Sequence, residues 1–279
     1  GLAVKNPNLK ILVQALTRAD LAVTLKGAGP FTVFAPTDAA FTAFLKTTPY
    51  ATVNDVPKDV LTQILLNHVV SGSVKSTALT TTYIKTLAKG SASATNNLSM
   101  YVDVTSGVKL NGVATVTTAD VMASNGVVHV VDGVIGLPTV VTHATANPNF
   151  SNLVGALTAE GQPDFVGILS GTASSPFTVF APSNAAFATF ESQNPGVIGS
   201  LTSAQLTSVL SYHVVAGANV LSDAIPSGPI TSFESGTFTI NGTTITDEVA
   251  RQTNIVAVDV QAANGVIHVI SNVILPNLN

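Results

Sequence analysis

Three blocks of this sequence occur twice in the same order, and no other feature restricts the fold so strongly. Pro30-Phe-Thr-Val-Phe-Ala-Pro-Thr-Asp-Ala-Ala-Phe41 returns as Pro176-Phe-Thr-Val-Phe-Ala-Pro-Ser-Asn-Ala-Ala-Phe187. Asn67-His68-Val69-Val70 returns as Tyr212-His213-Val214-Val215. Asn125-Gly-Val-Val-His-Val-Val131 returns as Asn264-Gly-Val-Ile-His-Val-Ile270, and both copies run on to a proline, Pro138 and Pro276. A spacing of about 140 residues is far longer than a solenoid unit, so it marks a duplicated domain. A chain of 279 residues has room for two such domains, each able to bury its own core. The expected division is residues 1–141 and 142–279.

Local patterns give each copy the same order of elements. Asn6-Pro7 and Asn147-Pro148 each place an N-cap residue before a proline suited to the first helical position. Leu9, Leu12, Val13 and Leu16, and likewise Phe150, Leu153, Val154 and Leu157, then repeat at i, i+3, i+4, i+7, which makes one apolar stripe on a helix. Phe31-Thr-Val-Phe34 reads as a short buried strand that Pro36 stops. Thr37 or Asp38 caps the next helix, which carries Phe41, Phe44 and Leu45; Ser183 or Asn184 does the same ahead of Phe187 and Phe190. Third helices are expected near Val60–Leu66 and Leu206–Leu210. Beyond them the pattern shortens into strands separated by Gly and Asn turns, at Leu98–Thr105, Val108–Leu110, Val113–Thr117 and Val127–Val131. Helices early and strands late argue an α+β fold, with helices packed on a mostly antiparallel sheet. Residues 139–146 read as a short linker without a Gly/Ser run.

Composition narrows the setting. Charged residues make up only 9% of the chain and hydrophobic residues 46%, against roughly 25% charged in an average soluble domain. The polar surface is therefore Thr, Ser, Asn and Gln, which suits an extracellular setting. The net charge is −4 with Lys and Arg scattered singly, so neither a nucleic acid nor an anionic bilayer finds a positive footprint. Without cysteine there are no disulfides and no thiolate chemistry. No apolar run reaches the roughly 18 residues of a membrane span. The chain starts at Gly1 and reads as mature or trimmed; a cleaved signal or removed lipid anchor would leave no trace in it. Three N-x-[ST] sequons, at Asn97, Asn149 and Asn241, point together to a glycosylated secretory protein.

The three duplicated blocks resemble the fasciclin (FAS1) family over nearly the whole chain, twice. The segments Phe31–Phe41 and Phe177–Phe187 look like the family's first signature, Asn125–Pro138 and Asn264–Pro276 like its second, and Tyr212-His213 like its central Tyr-His segment. The first copy has Asn67 in place of that tyrosine, so its Tyr-His pair is incomplete; the second has Ser271 where the first has Asp132. The resemblance implies two tandem wedge-shaped β-sandwiches flanked by helices, in a secreted or cell-surface protein with adhesion, matrix or cell-wall roles and no cofactor. The low charge and Thr/Ser/Ala-rich style is similar to fungal members. In some animal members the Tyr-His segment is associated with integrin contact, which would fall here on Tyr212 and His213, and by position on Asn67 and His68. Other members carry apolar small molecules, including carotenoid pigments, which implies a pocket between helices and sheet or between the domains.

Catalytic patterns are missing. None of the five histidines, His68, His129, His143, His213 and His268, lies within five residues of another, unlike a helical or strand metal pair. Their apolar surroundings suggest buried neutral rings with hydrogen-bond partners. The family pattern suggests those partners: His129 with the Thr37/Asp38 turn and His268 with the Ser183/Asn184 turn. Ser71-Gly72-Ser73 lacks the frame of a nucleophile elbow. Asp55 and Asp59 flank a helix start, Asp247-Glu248 reads as a solvated turn, and Gly27 and Gly29 precede a proline instead of opening a phosphate-binding helix. The expected function is therefore extracellular binding through surface contacts with cell-surface, wall or matrix components, with carriage of an apolar molecule or pigment as the alternative.

Overall fold

A computed structural model describes residues 2–278. The chain divides into two compact units, Gly1–Gly90 with Thr95–Pro138 and Ser91–Ala94 with Thr139–Asn279. The first unit holds strands β1 (Phe31–Pro36), β2 (Val69–Ser71), β3 (Thr82–Gly90), β4 (Ser93–Asp103), β5 (Lys109–Leu110), β6 (Ala114–Ala123) and β7 (Gly126–Val131). Their order in the sheet is β2-β1-β7-β6-β5-β4-β3. The pair β1–β7 is parallel, in register from Phe31 opposite Gly126 to Pro36 opposite Val131, while β1–β2, β4–β5, β5–β6 and β6–β7 are antiparallel. A parallel pair covered on both faces explains why these strands read as continuous apolar runs.

Phe34 on β1 shares a core with Val70, Met100, Val102, Leu110 and Val131. Met100 and Val102 lie on β4, four strands away, which in a flat sheet would be about 19 Å. The sheet therefore bends back on itself and encloses a sandwich core. Ala35, the next residue, belongs to a second core, where the Lys10–Arg18, Asp38–Leu45 and Lys58–Leu66 helices bury Leu12, Phe41, Leu61 and Leu65. These helices cover the outer face of β1 and β7.

The second unit repeats the plan with β8 (Phe177–Pro182), β9 (Val214–Ala216), β10 (Ile230–Thr231), β11 (Thr237–Asn241), β12 (Thr244–Thr246), β13 (Gln252–Ala262) and β14 (Gly265–Ile270). Read from β9, the order β9-β8-β14-β13-β12-β11-β10 matches the first sheet strand for strand, with β8–β14 as the parallel pair. Its sandwich core is built on Phe180, Tyr212, Phe238, Ile240, Ile245 and Ile270, with Phe180 and Phe238 edge to face at 5.2 Å. Each unit is thus an α+β sandwich with flanking helices.

Glycine in the Asn-Gly blocks has a steric reason. A Cβ on Gly126 would lie 1.9 Å from the Phe31 carbonyl oxygen, and one on Gly265 would lie 2.3 Å from that of Phe177. The parallel partner passes too close for any side chain. The preceding asparagine ties the adjoining loop: Asn125 Nδ2 donates to the Leu25 and Gly27 carbonyls, and Asn264 Nδ2 to that of Leu169.

Three local expectations are corrected. Residues 139–146 are not a linker. Thr139 and Thr142 form a reciprocal capping box that opens the Val140–Ala146 helix, and Val140 and His143 bury. Thr139 is also where the second unit resumes. The Asn-Pro pairs do not begin the first helices directly. Asn6 Oδ1 accepts from the Asn8 amide in a turn ahead of the Lys10–Arg18 helix, and Asn147 caps a single 3-10 turn, Pro148–Phe150, before the Ser151–Leu157 helix. The third helices are longer than their apolar stripes, Lys58–Leu66 and Ser203–Tyr212, because polar first turns carry no hydrophobic signal. At the cap positions left open, Thr37 and Ser183 act, accepting from Ala40 and Ala186.

Candidate functional site

The Tyr-His segment ends the third helix of each unit, and its side chains point inward. His68 and His213 are buried. His68 Nδ1 lies 2.8 Å from the Ile64 carbonyl and Nε2 2.9 Å from the Ile135 amide. An amide only donates, so Nε2 is the acceptor and Nδ1 carries the proton. His213 repeats this with the Val209 carbonyl at 2.7 Å and the Ile274 amide at 3.2 Å. Burial lowers both pKa values to about 4, although the Nδ1 hydrogen bonds oppose it. Each ring is thus a neutral bolt between a helix end and the segment after the last strand.

The preceding residue works in the same place with different chemistry. Tyr212 is fully buried; its hydroxyl donates to the Thr237 carbonyl at 2.7 Å and accepts from the Glu248 amide at 3.1 Å. Burial holds this phenol well above its ordinary range. Asn67, equally buried, donates to the Gly136 carbonyl at 2.9 Å and accepts from the Thr86 hydroxyl at 3.1 Å. All four candidate binding residues, Asn67, His68, Tyr212 and His213, therefore spend their polar atoms inside the fold and offer none to a surface partner.

His129 and His268 do not meet the capped turns as expected. His129 accepts from the Asp120 amide at Nδ1 and donates from Nε2 to the Val74 carbonyl, and His268 lies 2.8 Å from the Val220 carbonyl. Both rings stack on the neighbouring strand's phenylalanine, Phe34 or Phe180, at 5.5 Å. They lie on the sandwich side of the sheet, whereas Asp38 and Asn184 face the helices. Asp38 accepts from the Ile11 amide at 2.8 Å; Asn184 accepts from the Asn152 amide and donates to Ser151 Oγ and the Pro148 carbonyl. Asp38 and Asn184 thus pin the Lys10–Arg18 and Ser151–Leu157 helices. A further clamp escaped the sequence reading. Ser76 donates from its amide and hydroxyl to Asp120, at 2.8 and 2.6 Å, and Ser222 does so to Asp259, at 2.9 and 2.6 Å. The signal was present: each aspartate stands five residues before the Asn-Gly block.

The helical layers of the two units differ, and the difference makes a cavity. In the second unit a space of about 700 Å³ opens between helices, lined by Leu153, Phe187, Phe190, Leu206, Val209 and Val273 among others. That volume is within the usual range of small-molecule sites. Corresponding positions explain it. Leu45, four residues past Phe41 and buried, becomes exposed Glu191, four past Phe187; Ile11 becomes Asn152 and Gln14 becomes Gly155. Tyr50, which follows Pro49 and packs on the first unit's core, has only Gly196 after Pro195 in its place. Phe41 and Leu61 are buried, but Phe187 and Leu206 are half-buried. Three packing side chains, Leu45, Ile11 and Tyr50, are replaced by a charged residue, a polar residue and glycine, and the apolar walls they covered now face the cavity.

The sequons divide by position. Asn149 and Asn241 are exposed, the latter leading into the tight Gly242-Thr243 hairpin turn between β11 and β12. Asn97 is half-buried on β4, with Nδ2 donating to the Thr86 carbonyl at 2.7 Å and Ser99 buried beside it. Among the described residues no helix is long and apolar enough to cross a membrane, and no group of three or more His, Cys, Asp or Glu side chains is placed to hold a metal ion.

The chain belongs to the fasciclin domain family, whose sequence model matches residues 7–138 and 148–276. Protein sll1483 of Synechocystis is 42% identical over 135 residues, covering 48% of this chain and 70% of that protein. Immunogenic protein MPB70 of Mycobacterium bovis is 30% identical over 133 residues, 48% of this chain and 66% of its own length. Cell surface glycolipoprotein MPB83 of the same species is 33% identical over 142 residues, 49% of this chain and 60% of its own length. The solved FAS1 domain pair from the insect cell adhesion molecule Fasciclin I has a TM-score of 0.58 and 20% identity, and the likeness covers 99% of this chain and 98% of that one. At that identity it speaks for the fold alone. Fasciclin domains as a family are associated with adhesion and with cell surfaces or matrices.

Proposed function

We propose that this chain is an extracellular binding protein of the adhesion type, secreted or held at a cell surface or wall, which acts through surface contacts and has no catalytic centre. The duplicated fasciclin domain carries this reading. Relatives named as a cell surface glycolipoprotein support it. Its partners are cell-surface, wall or matrix components that accept a weakly charged Thr/Ser-rich surface. The test is saturable retention of the labelled chain on such material, with competition by unlabelled chain; non-saturable or absent retention defeats the reading.

One observation favours a second reading, that the chain also carries an apolar molecule. The second unit's cavity of about 700 Å³ has walls that are mainly aliphatic and aromatic, and the first unit fills the same place with its own side chains. Nile red, an uncharged dye that brightens in apolar sites, tests it. The double variant Asn152→Ile/Glu191→Leu restores two of the first unit's residues at the cavity wall and is expected to weaken the dye signal.

A further inference from the structure

We propose that the cavity of the second unit discriminates by charge, accepting uncharged apolar molecules and rejecting those that end in a carboxylate, with Glu191 as the residue that sets the selectivity. This inference rests on the reading of the cavity as a ligand site.

The charge inventory of the walls carries it. Among the described lining residues Glu191 is the one with a formal charge, and no Lys or Arg contributes. His213 reaches the cavity but has both ring nitrogens committed, to the Val209 carbonyl and the Ile274 amide, so it stays neutral. Arg251 is turned to other work: its guanidinium lies 4.7 Å from the Phe190 ring centroid and bonds the Val273 carbonyl. A carboxylate entering here would therefore leave water without a partner of opposite sign.

Glu191 is also fixed. Its Oε1 accepts from the Gly196 amide at 2.6 Å, which holds the charge at the rim, in the last turn of the Asn184–Gln193 helix and at the position where Leu45 seals the first unit. An amphiphile that buries its tail and leaves its head in water places that head beside Glu191. Two like charges at about 6 Å in largely aqueous surroundings weaken binding roughly threefold. A hydroxyl or carbonyl end meets no such repulsion and finds the Asn152 amide, which can both donate and accept.

The test is displacement of Nile red from the intact chain by dodecanol and by dodecanoate at pH 8.5, with both below their aggregation limits. An alcohol enters any apolar site more readily than an anion, so the diagnostic is the variant. Glu191→Gln, an exposed conservative change, is expected to improve dodecanoate about threefold and to leave dodecanol unchanged. Dodecanoate displacement unmoved by Glu191→Gln, or dodecanol improved equally, overturns the charge selectivity while the cavity reading stands. If the wild-type chain binds no Nile red, or the Asn152→Ile/Glu191→Leu variant binds it unchanged, the cavity reading itself falls, and this proposal with it.

Discussion

Lowering the pH from 7.5 to 5 is expected to destabilise both units through the two bolt histidines. His68 and His213 have folded pKa values of about 4, below the ordinary 6.5. Between these values the unfolded chain binds more protons than the folded one, so stability rises with pH. The contribution is complete above pH 6.5 and is lost as the pH falls through 6.5 toward 4. At pH 5 the two-state linkage gives a loss of about 2 kcal/mol per histidine, hence about 2 kcal/mol in each unit. His268, also lowered by burial, adds to the second unit with the same sign. Hydrogen bonds hold Asp20, Asp103 and Asp120 below the ordinary carboxylate range, so their losses come at lower pH. Urea unfolding at pH 7.5, 6 and 5 measures the effect. Nitrogen-15 shifts of the imidazoles should show a protonated Nδ1 and a bare Nε2, unchanged down to pH 5. Stability that is flat or rising toward pH 5, or rings that titrate near 6.5, would refute the assignment.

Other substitutions test single features. Gly126→Ala should cost more than about 3 kcal/mol in urea unfolding, since its Cβ would meet the Phe31 carbonyl at 1.9 Å. Gly155→Ala, helical with open space around it, should be neutral or stabilising by up to about 1 kcal/mol; equal effects would discount the close approach of β1 and β7. Tyr212→Phe should keep the native circular dichroism spectrum and cost about 1–3 kcal/mol, because the Thr237 carbonyl and Glu248 amide lose their partner. On passage through a eukaryotic secretory pathway, Asn149 and Asn241 should gain glycans and Asn97 should not, as read by peptide mass after glycosidase treatment. A glycan on Asn97 would mean that β4 is modified before it pairs.

Much of the fold was legible because the duplication let each half check the other. The parallel β1–β7 pair lay in the two signature blocks, and short polar residues before apolar helices narrowed the caps to Thr37 or Asp38 and Ser183 or Asn184, of which the structure uses Thr37 and Ser183. What stayed hidden depended on contacts remote in sequence. The helix at residues 140–146 rests on a Thr-Thr capping box and a buried His143, neither of which gives an apolar period. The partners of His129 and His268 depend on which face of the sheet each ring occupies, and a family pattern does not resolve that. Asn67 and Tyr212 looked like an incomplete motif and its complete form, yet both satisfy buried polar atoms at one helix end. The cavity was written in the differences between repeats, at Leu45 and Glu191, Ile11 and Asn152, and Tyr50 and Gly196. Such differences read as neutral drift until the first unit's packing shows what those side chains fill.

The central claim is that this fasciclin pair works by binding at a surface. It is tested most directly by titrating the fluorescently labelled chain onto intact cells and isolated walls of the organism that makes it, and measuring the bound fraction against concentration. The account predicts a saturable curve that unlabelled chain competes away and that survives Tyr212→Phe, because the buried Tyr-His residues make no contact. Retention that never saturates would contradict surface binding, and retention lost with Tyr212→Phe in a chain that still folds would contradict the structural role given to that segment.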